Sequence, residues 1–483
     1  VVGSDARISS PGLKKALVRG ILEQGGKIID IGLATTPMFY FAVNKAKADG
    51  GAMVTASHNP AKYNGLKFTL KQARPVGEET GLEEIKLLAL RAKFKAAAKK
   101  GTLKKKSLFK KYVNFMLRQI KNIEMMAGLI LPHLFKRMKR IKIFPLYFKV
   151  DCGFPNHEAN PLKEDTLNDL KNLMRKKKVD MGVAFDGDGD RVVFLTAEGR
   201  PARADFITAL LAGEYLKKYP KAKIAFGVNS SRVVREAIAE KGGRPFVSRI
   251  GHSFFKEHLW KEGVVFGGEL SGHYYFRDFF NADSGIFTMM KVLKIVAQEK
   301  KPLSELIKPF ERYFASGEIN FEVKDKFGII KNLEKKFSDG RVSKVDGLSV
   351  EYKDWWFNVR SSNTEPLLRL NLEAKTKKML EEKKKMLTIL TAIIEGPFSV
   401  TLIKVTPVFE MRGNFLKLRS GISKILISIK VIAPPWETIR TSPWSFPERI
   451  SRVMPVMTSL MNCVTRRCVA LSVSPFGNLT FSG

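Results

Sequence analysis

A loop with three aspartates carries the strongest chemical signal in the sequence. Asp186, Asp188 and Asp190 alternate with glycines directly after the apolar run Met181–Phe185, and Arg191 follows them. Glycine lets the backbone curl so that the three carboxylates converge on one point, which is the ligand set of a hard cation such as Mg²⁺ or Ca²⁺. Three carboxylates this close repel one another without a cation. The pattern therefore predicts a divalent metal site.

A calcium-binding EF-hand loop also has aspartates at its first, third and fifth positions. Its sixth position requires glycine and its twelfth glutamate, whereas this chain has Arg191 and Ala197 there. We therefore do not interpret the loop as an EF-hand. An acidic surface turn is the remaining alternative.

Three further loops carry polar side chains that could meet a ligand. Ser57 follows an apolar strand, at the place where parallel sheets put their sites, although a turn-forming serine is the alternative. Glu269, Ser271 and His273 alternate with small or apolar residues, so they can face one side and suit a polyhydroxylated ligand. The last loop combines a guanidinium with hydroxyl and amide donors, which makes either a phosphate cradle or an ordinary polar turn. Its residues are Arg360, Ser362, Asn363 and Thr364.

Alternating strands and helices must position these loops. Apolar spacing predicts helices at Pro11–Glu23 and Thr36–Lys47, and strands at Lys27–Ile31 and Gly51–Thr55. The lysine-rich stretch 78–122 is expected to be helical. Such alternation favours a mainly parallel, helix-covered sheet, and the pattern changes after residue 316 to that of a smaller α+β unit.

Composition limits the class of protein. The 483 residues include 84 basic and 47 acidic ones, a net charge of +37 that favours anionic partners such as nucleic acid, an acidic membrane surface or phosphorylated metabolites. A lysine-biased composition is the alternative explanation. Three cysteines cannot form a disulfide framework, and no apolar stretch is long enough to span a membrane. We expect a cytoplasmic protein, and a chain that starts as a fragment, because it begins with neither Met nor a signal peptide.

The order of the four loops resembles the α-D-phosphohexomutase superfamily, in particular its phosphomannomutase/phosphoglucomutase branch. The resemblance covers about residues 1–390 and is supported by Gly3–Arg7, Asn64–Lys67, Phe154–His157 and Gly251–Ser253. It implies an α/β fold class, with three related mixed-sheet α/β domains plus a smaller α+β carboxy-terminal domain around a central cleft. It implies a phosphoserine domain at 1–122, shortened at its start, and a metal-binding domain at 123–201. A sugar-binding domain at 202–316 and a phosphate-binding α+β domain at 317–395 follow. The remaining residues, 396–483, form a tail of unknown structure. A flexible appendage and a translation artefact are both open explanations of the tail.

The resemblance also implies an activity. The chain would be an intramolecular phosphotransferase that interconverts hexose 1-phosphate and hexose 6-phosphate, with hexose 1,6-bisphosphate as intermediate and activator. Ser57 would carry the phosphoryl group, and Mg²⁺ would be held by this serine and the three aspartates of the acidic loop. Lys67 would handle the proton of the attacking hydroxyl, with His252 and Arg191 beside the reaction centre.

Substrate contacts follow from the same resemblance. Glu269, Ser271 and His273 would bind sugar hydroxyls, and Arg360 with Ser362, Asn363 and Thr364 would hold the non-reacting phosphate. Leu270 and Asn363 resemble the mannose/glucose branch rather than the glucosamine branch. The preference between glucose and mannose and the choice between monomer and dimer stay open.

Three departures from the family pattern keep other functions open. The strand and arginine loop that normally precede residue 1 are not in this sequence, Lys121–Gly128 replaces an Asp-x-Gly-Asn-Gly turn, and Asn229 replaces a cation that contacts substrate. The alternatives are a catalytically impaired sugar-phosphate-binding member and a phosphoglucosamine mutase. A nucleic-acid-binding protein would need an aromatic-studded basic motif or zinc spacing, so we expect neither a nucleic acid nor a membrane partner.

Overall fold

The structure is a computed structural model. It describes residues 1–91, 94–118, 144–149, 151, 153–362, 367–395, 401–405, 470–474 and 478–482. Two expectations from the sequence lie outside the described residues: the altered start of the second domain at Lys121–Gly128, and the pair Asn363 and Thr364.

The first domain is built on a sheet in which β1 (Val2–Ser4) lies between two parallel neighbours. These are β2 (Ile28–Leu33) and β3 (Gly50–Val54). β4 (Asn64–Leu70) runs antiparallel beside β3. The chain leaves β3 three residues before Ser57, so the carboxyl end of a parallel strand presents this serine, as the sequence predicts.

The helices predicted for the first domain are confirmed. α1 covers Ser10–Glu23 and α2 covers Thr36–Lys45, and each has a proline in its first turn, where a missing N–H disrupts no bond. The Thr35 hydroxyl accepts a hydrogen bond from Met38 N at 3.3 Å and so caps α2. Residues 36–43 are all buried, which places α2 inside the molecule.

The lysine-rich stretch differs in part from its prediction. It contains α3 (Leu82–Arg91) and α4 (Phe109–Arg118), but between them β5 (Leu103–Lys105) pairs in parallel with β2. Its three side chains are exposed. Lysines on an edge strand discourage pairing with another chain, so a charged run here is compatible with a strand as well as with a helix.

The second domain presents the acidic loop at the tip of a hairpin. α5 (Asn168–Lys177) precedes β6 (Met181–Phe185), the apolar run before the acidic loop, and β7 (Val192–Thr196) returns antiparallel to it. Residues 186–191 form the connection, so the hairpin fixes both ends of the loop.

The third domain has a five-stranded mixed sheet in the order β12-β11-β10-β8-β9. β10, β8 and β9 are parallel, and β11 and β12 are antiparallel. The strands are β8 (Lys223–Gly227), β9 (Arg244–Ser248), β10 (Val264–Gly268), β11 (Tyr274–Phe276) and β12 (Ala282–Asp283). The helices are α6 (Ala204–Lys218), α7 (Arg232–Glu240), α8 (His252–Lys261), α9 (Gly285–Glu299) and α10 (Leu303–Ile307).

The fourth domain is the smaller α+β unit. Its antiparallel sheet has the order β14-β15-β16-β17-β13-β18. The strands are β13 (Phe314–Glu322), β14 (Arg341–Ser343), β15 (Leu348–Glu351), β16 (Trp355–Ser361), β17 (Leu367–Ala374) and β18 (Thr401–Val405). The helices are α11 (Lys326–Lys336) and α12 (Lys377–Glu395).

The tail, to which the sequence assigns no structure, contributes strands to two sheets. β18 joins the fourth domain beside β13. β19 (Ala470–Ser474) and β20 (Asn478–Ser482) pair with each other, and β20 lies antiparallel beside β4 of the first domain.

The larger hydrophobic cores do not follow the four domains one to one. One core runs through the first three domains, where the Phe115 ring contacts Phe41 at 5.2 Å and Phe280 at 5.1 Å between centroids. The fourth domain has a core of its own, which includes Phe337 and Phe357. The expected α/β fold class is thus confirmed, and none of the described helices is both long and apolar enough to cross a bilayer.

Candidate active site

Ser57 sits in a strained turn that points its hydroxyl at the acidic loop. Its φ is +50°, a left-handed conformation that is uncommon outside glycine and is concentrated at functional sites. Its N–H donates to Thr55 Oγ1 at 2.9 Å, and its Oγ donates to Asp186 Oδ2 at 2.8 Å. The side chain is buried, so this contact between the first and second domains is shielded from water.

Glycines allow the acidic loop to approach Ser57 closely. A Cβ at Gly187 would lie 2.6 Å from the Ser57 carbonyl oxygen, and Gly189 has a φ of +75°. Asp186 Oδ1 accepts the N–H groups of Gly189 at 3.0 Å and Arg191 at 3.2 Å, which curls the loop around this carboxylate.

Lys67, on β4, bridges the other two aspartates. Its Nζ lies 2.8 Å from Asp188 Oδ2 and 2.6 Å from Asp190 Oδ2. The Thr36 hydroxyl, at the start of α2, also donates to Asp188 Oδ2 at 2.5 Å. Thr36 is not among the site residues predicted from the sequence, because Thr-Pro there signals only the start of a helix and its acidic partner comes from another domain.

Burial and neighbouring charges shift the pKa values of the titratable groups in this site in different directions. Burial, with Asp190 and Asp188 nearby, raises the pKa of Asp186 well above its usual range. Burial alone would raise the pKa of Asp190 too, but Lys67 and His273 outweigh it and hold the pKa well below normal. Burial alone would lower the pKa of Lys67, but Asp188 and Asp190 outweigh burial and raise it, so this side chain is an ammonium.

The acidic loop fits a divalent cation. Asp186, Asp188 and Asp190 each offer a carboxylate oxygen, and these oxygens lie within 4.8 Å of one another. Within the described part of the chain, no donor hydrogen-bonds the buried Oδ1 atoms of Asp188 and Asp190. Oxygen atoms left without a partner in a buried carboxylate cluster are the ligands that Mg²⁺ requires.

The loop with Glu269, Ser271 and His273 lies directly against the acidic loop. His273 pairs as an isolated bridge with Arg191, and its Nε2 is 3.4 Å from Asp190 Oδ1. Ser271 Oγ is 2.9 Å from His273 Nδ1, so the two side chains orient each other. Glu269 Oε1 accepts the N–H of Gly251 at 2.9 Å.

His252 begins α8, next to the loop that contains His273. Its ring centroid is 6.3 Å from that of His273. Burial and the neighbouring Lys256 and Lys67 lower its pKa well below the usual value. The imidazole is therefore neutral. Burial and Arg191 likewise lower the pKa of His58 to about 3.

The fourth domain carries Arg360 and Ser362, which make hydrogen bonds within that domain. Arg360 is buried, and its Nη2 donates to Glu318 Oε2 at 3.0 Å, while Ser362 N donates to Leu367 O at 2.8 Å. A connection to the third domain runs through Asp346, whose Oδ2 accepts the N–H of Ile250 at 2.9 Å.

Comparison with known families identifies the chain. The four phosphoglucomutase/phosphomannomutase domains match in order: alpha/beta/alpha domain I at 1–95, domain II at 120–199, domain III at 203–313 and the C-terminal domain at 318–389. The chain belongs to the phosphoglucomutase/phosphomannomutase family. The resemblance read from the four loops is thereby confirmed.

Individual relatives agree with this family. A phosphomannomutase of Vibrio cholerae is 38% identical over 395 residues, which cover 78% of this chain and 85% of that protein. A phosphomannomutase/phosphoglucomutase of Pseudomonas syringae is 35% identical over 85% of this chain and 88% of its own length. The crystal structure of a phosphoglucomutase/phosphomannomutase family protein from Burkholderia thailandensis matches with a TM-score of 0.76 and 30% identity, covering 83% of this chain and 90% of that one.

Direct contacts join most of the site residues predicted from the sequence. Ser57, Lys67, the three aspartates, Arg191 and His273 form one connected cluster, and His252 and Glu269 lie beside it. Arg360 and Ser362 stand on the fourth domain. The roles assigned to these residues stay predictions.

Proposed function

We propose that this protein is a phosphohexomutase that interconverts the 1- and 6-phosphates of mannose, glucose or both through a phosphoserine at Ser57. The contact that carries the proposal is the hydrogen bond of 2.8 Å from Ser57 Oγ to Asp186 Oδ2, in a chain that matches all four domains of the family. A strained, buried serine hydroxyl beside a cation site is suited to carrying a phosphoryl group.

We assign Mg²⁺ to the three carboxylates of the acidic loop, together with the Ser57 side chain. Bound there, the cation would neutralise negative charge on the phosphoryl group during transfer. Lys67 contributes a second positive charge in the same place, because its ammonium lies within 2.8 Å of Asp188 and 2.6 Å of Asp190.

The transfer itself exchanges one bond for another. The free hydroxyl oxygen of the hexose phosphate forms a bond to phosphorus as the bond from phosphorus to Ser57 Oγ breaks, giving hexose 1,6-bisphosphate. We assign the hydroxyl proton to Lys67, whose ammonium passes one of its own protons to Asp188 Oδ2, 2.8 Å away, as it takes up that of the attacking hydroxyl. In the return step Ser57 Oγ forms a bond to the other phosphorus as the bond from that phosphorus to the sugar oxygen breaks. The released sugar oxygen takes the proton back from Lys67, which recovers its own from Asp188.

The remaining contacts would hold the sugar between two phosphate positions. Glu269, Ser271 and His273 present an acceptor, a hydroxyl and an imidazole along one loop, which suits sugar hydroxyls in either orientation of the substrate. Arg360 offers a guanidinium for the non-reacting phosphate, because its buried Nε donates no hydrogen bond to any described residue. Asn363 and Thr364 are proposed partners of that phosphate.

Phosphopeptide mass spectrometry and a mutase assay test the proposal together. After incubation with glucose 1,6-bisphosphate and Mg²⁺, we expect phosphate on Ser57 and turnover of glucose 1-phosphate or mannose 1-phosphate. Ser57→Ala should abolish both, whereas Ser338→Ala, a change at an exposed serine of the fourth domain, should abolish neither. An unphosphorylated wild-type Ser57 combined with absent turnover would overturn the proposal.

Asn229 favours a second candidate, a sugar-phosphate-binding protein with impaired turnover. The position resembles one that holds a substrate-binding cation in the family, and here the amide oxygen is buried with no hydrogen bond among the described residues. Calorimetric binding of mannose 1-phosphate without turnover would support this candidate. If Asn229→Lys then strengthened binding and restored turnover, the missing cation would be the cause.

A further inference from the structure

Arg7 is a buried guanidinium that none of the four chemical loops contains. It follows β1, at the end of the stretch Gly3–Arg7, and its side chain has no solvent exposure. Its charge is paired within the same turn, because Nε donates to Asp5 Oδ2 at 3.1 Å. Asp5 Oδ1 in turn accepts the Arg7 N–H at 3.1 Å and the Ser10 hydroxyl at 2.6 Å. This arrangement fixes the direction in which the guanidinium points.

The guanidinium points into the serine loop and occupies its centre. Nη2 donates to the carbonyl oxygens of Ser57 at 2.6 Å and Asn59 at 2.8 Å. Nη1 donates to those of Pro60 at 2.8 Å and Tyr63 at 3.0 Å. With the bond to Asp5, all five N–H donors of the side chain are used. Four carbonyls of one loop thus converge on one cation.

We propose that Arg7 is a positioning residue for phosphoryl transfer, and that it holds the Ser57 turn in its left-handed conformation. The bond to Ser57 O fixes the peptide group that follows the nucleophile. That same oxygen packs against the acidic loop, where a Cβ at Gly187 would approach it to 2.6 Å. Fixing this carbonyl therefore fixes both the direction of Ser57 Oγ and its distance from Asp186. The inference rests on the proposed function, since it concerns the same transfer.

A ring from the second domain covers the open face of the guanidinium. The Arg7 Cζ lies 5.2 Å from the centroid of Phe154. Phe154 belongs to the stretch Phe154–His157 that supports the family resemblance, and nothing in its sequence spacing indicates this partner. The contact shows that Arg7 is packed between the serine loop and the second domain rather than within one domain.

A lysine at position 7 could not make the same contacts. An ammonium has three donors at one point, whereas the loop needs four donors spread over a planar fork to reach its four carbonyls. Arg7→Lys keeps the charge near Ser57 but leaves carbonyls without partners. A misplacement of about 1 Å in a reacting group costs about 100-fold in rate, and this is the loss we expect.

Single-turnover kinetics on the full chain separates positioning from binding. We expect Arg7→Lys to slow phosphoryl transfer from phosphorylated Ser57 to glucose 1-phosphate by about 100-fold, while calorimetry gives a glucose 1-phosphate Kd within about threefold of wild type. Arg203→Lys is the matched control, because Arg203 also makes two bonds to an aspartate two residues away, Asp205, far along the chain from Ser57. It should leave the transfer rate unchanged.

Chemical rescue adds a readout that a purely structural role would not move. Added methylguanidinium should raise the transfer rate of Arg7→Ala by at least about tenfold. Methylammonium should not, because only the planar guanidinium fork matches the loop. If Arg7→Ala does not fold, Asp5→Asn provides the test. It leaves Arg7 in place without its anchoring charge and should slow transfer several-fold at unchanged Kd.

Three results would overturn the inference: transfer by Arg7→Lys within about threefold of wild type, a Kd that weakens by the same factor as the rate, or an Asp5→Asn rate equal to wild type. An inactive, unphosphorylated wild-type protein would instead count against the proposed function. The two failures are therefore distinguishable in one set of assays.

Discussion

The reacting cluster and the phosphate-binding domain are attached to the molecule in different ways. Ser57, Lys67 and the acidic loop lie in or beside a hydrophobic core that the first three domains share. The fourth domain has a separate core and contacts the third mainly through polar side chains. The chemical centre is thus held by packing, whereas hydrogen bonds and ion pairs hold the fourth domain against the third.

Two glutamates carry much of the contact between the third and fourth domains. Glu373 is buried and accepts hydrogen bonds from the Ser231 hydroxyl, Arg232 N at 3.0 Å and Trp356 Nε1 at 2.7 Å, which places it at the start of α7. Glu351 is partly exposed and pairs with several arginines. Buried charge-assisted bonds are stronger than exposed ion pairs, so the two glutamates should contribute unequally.

Removing one carboxylate of the acidic loop should have the largest effect on turnover. Asp188→Asn weakens the metal site and the pairing with Lys67 and Thr36 together, so we expect turnover to fall by about 10³-fold and Mg²⁺ binding to be lost. Steady-state kinetics and calorimetric Mg²⁺ titration check this. Asp180→Asn, an exposed change just before β6, is the control. Undiminished Mg²⁺ binding by the first variant would place the metal elsewhere.

Adding one methyl group between the first two domains should have the next largest effect. Gly187→Ala forces the acidic loop away from Ser57 O, and we expect the free energy of unfolding to fall by about 1–3 kcal/mol, with slower phosphoryl transfer. Gly213→Ala, in α6, is the matched control, because its added Cβ would meet nothing within 4 Å. Helix propensity predicts that this control is up to about 1 kcal/mol more stable than wild type. Thermal unfolding distinguishes the two, and a neutral Gly187→Ala would contradict the close approach.

Changing the buried Glu373 of the fourth domain should affect substrate binding more than the rate of phosphoryl transfer. Glu373→Gln replaces a charged acceptor of three bonds by a neutral amide, so we expect about 1–3 kcal/mol less unfolding free energy. KM should rise while the single-turnover transfer rate stays near that of wild type. The exposed Glu382→Gln, on α12, is the control. A large fall in transfer rate with constant KM would show that this domain belongs to the rigid part.

Removing the partly exposed ion pair between Arg235 and Glu351 should have the smallest effect on the free energy of unfolding. Arg235 Nη1 lies 2.8 Å from Glu351 Oε2 at a partly exposed position, so Arg235→Met should cost less than about 1 kcal/mol, and less again in 1 M salt. Urea unfolding at low and high salt measures this. Lys86→Met, which removes the exposed pair with Glu83, should behave alike. A larger, salt-independent loss would mean that the interface is as tightly packed as the shared core.

Local patterns predict much of this molecule, and long-range contacts explain what they miss. The helix Thr36–Lys45 and the strand Gly50–Val54 stand where apolar spacing puts them, because a strand or helix needs only its own residues to signal its period. The four loops could be selected because each carries its chemistry in a short run. Thr36 and Arg7 could not, since their partners at Asp188 and Ser57 come from distant segments and neither residue type indicates them.

The close approach at Gly187 has a consequence for how catalytic competence arises during synthesis. The serine and the carboxylate it contacts are 129 positions apart in the chain and belong to different domains. A growing polypeptide that has emerged only as far as the first sheet has a hydroxyl with no acidic neighbour and no ion to bind. Reactivity therefore cannot arise before the hairpin of the second domain docks, and an unfinished product of the ribosome that ends before this hairpin cannot transfer phosphate by this route.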